Sequence, residues 1–153
     1  MKHSTLLLTA LLATGTLATA TTAYAAPRVT PETATLSFDC GSYGSGTATL
    51  KATQDGTAAT IEVSTEAITA PIALSENSVE STLTLTKNGS GTTTFTGNAN
   101  PAIPAGGAVS TGPLNGTVAS GDSLEATSLT VVVFGVTVQC TATSPQNPGP
   151  FVF

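Results

Sequence analysis

Reaction chemistry in this chain would have to come from two cysteines, one histidine and nine carboxylates. Cys40 stands before Gly41, Ser42 and Tyr43. Such a thiol is a candidate nucleophile, but it needs a base beside it to react near neutrality. The single histidine, His3, lies in a segment that the chain is expected to lose. Its loss removes the usual base, so histidine-assisted serine or cysteine hydrolysis and histidine-ligated zinc are excluded. Lys51 and Lys87 occupy no recognised serine/lysine spacing. Carboxylate-based hydrolysis stays open as a third reading through Asp55, Asp122 and Glu125, although the chain has no tryptophan to serve as a sugar platform. Asp122-Ser123-Leu124-Glu125 is also the best turn for calcium. Two carboxylates fall short of the six to eight or so oxygens that the ion gathers, so Asp122 and Glu125 are weak candidates. The glycines of residues 41–46 lack the lysine and the following helix of a phosphate loop. The expected set of catalytic residues and cofactors is therefore empty.

The first 25 residues explain the fate of the histidine. Lys2 gives a positive start, Leu6 to Leu17 an apolar core, and Ala23-Tyr24-Ala25 the small residues that a signal peptidase reads. Residues 1–25 are thus expected to be a signal peptide, and the remainder to be secreted and extracellular. An oxidising destination changes the reading of the sulfurs. Two cysteines remain, Cys40 and Cys140, each at the inward end of an expected strand, so the expected outcome is a disulfide.

Both cysteines depend on strands, and the strands are written in a two-residue rhythm. Leu36, Phe38 and Cys40 share one face, with Thr35, Ser37 and Asp39 on the other. Ala48, Leu50 and Ala52 follow, then Ile61 and Val63, then Val79, Leu83 and Leu85. Residues 87–91, Lys-Asn-Gly-Ser-Gly, read as a hairpin turn before Phe95, because Asn-Gly accepts the positive φ of tight turns. Residues 98–113 hold three prolines and read as a long connection rather than a central strand. Residues 129–141 admit two readings. In one, Phe134-Gly135 is a turn and Val133, Val131 and Leu129 oppose Val136, Val138 and Cys140; in the other the segment is one long strand with Val132, Phe134, Val136, Val138 and Cys140 pointing inward and Leu129, Val131 and Val133 forming a second apolar stripe. The hairpin is favoured, at the expense of a phenylalanine at positive φ.

The expected fold is all-β: a single antiparallel β-sandwich of about seven to nine strands over residues 26–144, with one disulfide. Residues 145–153, rich in proline, read as an extended, loose segment that ends on the apolar surface of Phe151, Val152 and Phe153, an end that either folds back onto an apolar patch or serves as a strand-like peptide for a partner's edge. Without Lys2 the formal charge is one unit more negative than the −5 of the whole chain. A surface so poor in lysine and arginine does not suit nucleic acid, and no later segment is apolar enough to insert in a membrane as a helix.

The framing pair Leu36-Ser37-Phe38-Asp39-Cys40 and Val136-Thr137-Val138-Gln139-Cys140-Thr141, with the signal peptide and the Thr/Ala/Gly/Ser-rich strands between, resembles small secreted actinobacterial proteins with an immunoglobulin-like β-sandwich. The resemblance implies two sheets stapled between first and last strands, and no functional residues.

Function is then expected to be non-enzymatic: contact with a protein or cell-envelope component through Val132, Phe134, Phe151, Val152 and Phe153. The alternative is an extracellular carrier of a small apolar ligand.

Overall fold

The computed structural model describes residues 20–23 and 25–153. The expected signal peptide lies almost wholly outside the described residues. The rhythm of apolar and hydroxyl-bearing residues produces strands β1 (Thr33–Asp39), β2 (Ser45–Asp55), β3 (Ala58–Thr69), β4 (Glu80–Lys87) and β5 (Gly91–Gly97). β6 (Ala108–Thr117), β7 (Ser123–Val133), β8 (Val136–Ala142) and the short β9 (Phe151–Val152) complete the set. Threonine serves these strands twice, since its branched carbon fits the pleat and its hydroxyl faces water.

The sandwich expectation is overturned. The strands follow one another β4-β5-β6-β3-β2-β1-β8-β7, and β7 returns to pair with β4 from Glu80↔Val132 to Lys87↔Leu124. The result is a closed eight-stranded antiparallel barrel with β9 outside the ring, paired to β7 at Ser123↔Val152 and Leu124↔Phe151. A period-two pattern satisfies the inner face of a sandwich and the interior of a barrel equally, so closure is decided elsewhere. It is decided in part by a bulge in β7, where the register shifts between Thr84 and Leu85 and Thr127 donates its hydroxyl to the Thr84 carbonyl at 3.0 Å. An extra residue bends and twists its strand, and here it returns Ala126 and Leu129 to the same inner face.

Two further expectations are corrected. β6 starts at Ala108, inside the stretch read as a connection, and passes through Pro113. The ladder to β3 is irregular there, between Glu62 and Ser64, and Gly112 takes φ +63 against the backbone of Ala99, where a side chain would not fit. A bulge is the one interior place where a sheet tolerates proline. The second correction concerns residues 145–153, which are not loose: their end folds back onto the body, the first of the two arrangements expected for it. Thr30 and Val152 exchange backbone hydrogen bonds, as do Thr35 and Asn147, so the C-terminal segment fills the space between the start of β1 and the start of β7. Gln146 is buried; its side chain accepts from the Ala126 amide at 3.1 Å and donates to the Gly149 carbonyl at 3.0 Å.

Phe151 and Phe153 consequently belong to the core, together with Phe95, Ile61, Leu85 and Leu114. Their location excludes them from any exposed interaction surface; Val152 alone of the three faces water. Thr35, Thr47, Lys51, Thr53 and Glu80 point outward. Apolar inside and hydroxyl-bearing outside is the inverse of a membrane-spanning barrel.

Candidate functional site

The two halves of the barrel are filled differently. Toward the end where β4 meets β5, the large side chains of Phe95, Phe151, Leu85, Leu114 and Leu124 are fully buried, and the Phe95 ring packs against Gly116, whose missing side chain makes the room. Toward the other end the inward positions include Ala48, Ala126 and Ala142, and the interior opens into a cavity of about 380 Å³. Leu36, Leu50 and Leu83 form its floor, and Phe38, Val63, Leu129, Val131 and Val138 its walls. The polar side chains at its border are hydroxyls, among them Thr65, Thr69 and Tyr43; no charged side chain lines it.

Both cysteines face this cavity. Cys40 and Cys140 form the expected disulfide, with the sulfurs bordering the hollow half. β1 and β8 pair at Phe38↔Ala142 and Asp39↔Thr141 and then part, β1 turning away through a 3-10 turn at Gly41–Tyr43. Asp39 shapes that turn by accepting the Gly41 amide at 2.7 Å, while Cys40 donates to the Gly44 carbonyl at 2.8 Å. The disulfide thus joins two strands where their hydrogen bonds run out.

At the mouth, β7 and β8 form the favoured hairpin. Leu129↔Cys140, Val131↔Val138 and Val133↔Val136 are paired, with Phe134 at φ 51 and Gly135 at φ 75 in the turn. Phe134 is 68% exposed where it borders the cavity, as are, to a lesser degree, Val136, Tyr43 and Ile72. Val132 lies on the opposite face of β7 and is half-buried between Glu80 and Thr137.

Another part of the border is held by a residue that strand alternation does not single out. Asn100 is buried, its side-chain oxygen accepting the amides of Ser78 and Val79 at 2.9 Å each, and its nitrogen donating to the carbonyls of Ser75 and Pro101. It fixes the segment between β3 and β4, whose Ala70, Ile72 and Leu74 border the opening. An asparagine before proline inside a stretch otherwise made of small residues was the available hint.

The carboxylates do not converge. Asp122 is buried at the closed end, in an ion pair with Lys87 at 2.9 Å, and accepts the Ala119 amide at 2.8 Å and the Asn88 side-chain amide at 3.2 Å. The Ala119 amide, then Lys87, hold its pKa below the ordinary aspartate range. Glu125 accepts the Gln146 amide at 3.3 Å instead, and Asp55 ends β2, paired with Ala58. Among the described residues no three His, Cys, Asp or Glu side chains gather as a metal site, and Asp122 and Glu125 take the separate protein partners just named. No family model, curated protein or solved structure matches the chain.

Proposed function

We propose that this protein is a non-enzymatic extracellular carrier of one small, uncharged, apolar molecule, held in the open half of the barrel. A single observation supports the reading: a cavity of about 380 Å³ bounded by aliphatic side chains, Phe38 and a disulfide, open to solvent at one end. Pockets that take small ligands begin at about 300 Å³, and eight strands enclose about the width that one such molecule fills. An empty apolar space of this size is unfavourable, because its lining forgoes the dispersion contacts that filling would restore. A charged ligand is disfavoured, since nothing on the walls would neutralise it and burying an unpaired charge is costly.

The covalent chemistry supports a destination outside the cytosol. The disulfide belongs to an oxidising compartment outside the cytosol, and among the described residues no helix is long and apolar enough to cross a membrane. Secretion through the residues 1–25 segment accords with both.

The test is a fluorescence titration of the disulfide-bonded chain with an uncharged phenyl-naphthylamine dye. The wild type is expected to bind with a dissociation constant in the micromolar range. Val131→Trp, which places an indole in the cavity, is expected to weaken binding at least tenfold. Absence of saturable binding by the wild type, or equal binding by a folded Val131→Trp chain, overturns the reading.

A further inference from the structure

Of the five large apolar side chains that stand exposed among the described residues, four (Tyr43, Ile72, Phe134 and Val136) border the mouth of the one cavity described above, and the fifth is Val152. Neither folding nor solubility accounts for them. Phe134 shows this most clearly: it occupies a left-handed position that asparagine or glycine would take with less strain, and it presents its ring to water. Strain and exposed apolar surface at one residue point to a contact made outside the fold.

We propose that this rim docks onto a neutral lipid surface, through which the ligand enters and leaves the barrel. The choice of a lipid rests on the carrier reading: a molecule that is poorly soluble in water reaches an apolar cavity at least cost through an apolar phase that seals its mouth. Charge selects the kind of surface. The charged residues in the segments that lead to and from the rim residues are acidic: Asp39 before the Gly41–Tyr43 turn, Glu66 near the end of β3, Glu76 four residues after Ile72, and Glu80 opposite Val132. The cations among the described residues sit elsewhere, Lys87 at the closed end beside Asp122, Lys51 opposite Thr33, and Arg28 ahead of Thr30. Anionic lipid is repelled by this arrangement, and so is a second copy, whose rim would set its own four carboxylates against these. A zwitterionic surface accepts an aromatic and aliphatic rim at its interface without that repulsion.

Flotation with vesicles tests the proposal, using phosphatidylcholine alone and an equal mixture with phosphatidylglycerol at low salt. The wild type is expected to float with the first and markedly less with the second. Phe134→Asn keeps the turn, because asparagine accepts its φ, and is expected to lower the vesicle-bound fraction about tenfold with no fall in melting temperature. Val131→Trp is expected to float like the wild type, since Val131 lies behind the rim. A wild type that takes up the dye but does not float refutes docking and leaves the carrier reading standing. A wild type that floats without taking up the dye refutes the carrier reading instead. Unchanged flotation of Phe134→Asn, or dimerisation of the wild type that Phe134→Asn abolishes, also overturns docking.

Discussion

Cys40 and Cys140 are bonded across the seam of the barrel at the point where β1 and β8 cease to pair, one step beyond Asp39↔Thr141. The bond therefore does two things. It restricts the unfolded chain over a sequence separation of 100 residues, and it keeps the mouth end of β8, which has no β1 partner from Val136 to Cys140, from swinging away from the cavity.

Replacing both cysteines by alanine is expected to cost about 4–5 kcal/mol, from the chain-entropy term for a loop of this length. Urea denaturation of the double variant against the oxidised wild type measures it. Dye affinity is expected to fall in parallel, because the cavity wall loses its fastening.

The end of the chain carries a second prediction. Phe151 is fully buried, with its ring centroid 6.4 Å from that of Phe153 in an edge-on arrangement. Phe151→Ala is expected to cost about 3–5 kcal/mol, as for other large core truncations, while Val152→Ala changes stability by about 0.5 kcal/mol or less. Equal effects of the two would contradict the placement of the C-terminal segment.

Asn100 should matter to the mouth. Asn100→Ala leaves the buried amide of Val79 and the part-buried amide of Ser78 without their partner, at an expected cost of about 2 kcal/mol. Hydrogen exchange is expected to quicken across residues 70–79, and dye release to quicken with it.

Acid should weaken the closed end first. The pKa of Asp122 is lowered in the folded chain, so its contribution is complete above the ordinary aspartate value of about 3.9 and is lost as the pH falls through the lower folded value. Melting temperature is expected to drop over that interval in the wild type and to drop less in Asp122→Asn, which is already less stable at neutral pH.

The strand faces were legible from residue order alone. Leu36, Phe38, Leu50, Ile61, Leu83, Leu85 and Phe95 are buried as the alternation requires, and the pairing of Val133 with Val136 follows from a two-residue turn at Phe134-Gly135. Ring closure was not legible, because the ladder between β4 and β7 joins segments some forty residues apart and leaves no local mark on either. The C-terminal segment misled for a different reason. Pro145, Pro148 and Pro150 do preclude a continuous strand, yet the chain is held there by isolated bridges and by the Gln146 side chain, which alternation does not encode. The cavity stayed hidden because inward alanines read as core until the ring is closed; Ala48, Ala126 and Ala142 then leave its volume unfilled.

Native mass spectrometry of the chain isolated from its own source tests the carrier reading most directly. The account predicts the disulfide-bonded chain with one non-covalently bound, uncharged small molecule, absent from Val131→Trp prepared alongside. The bare chain in both preparations would contradict it.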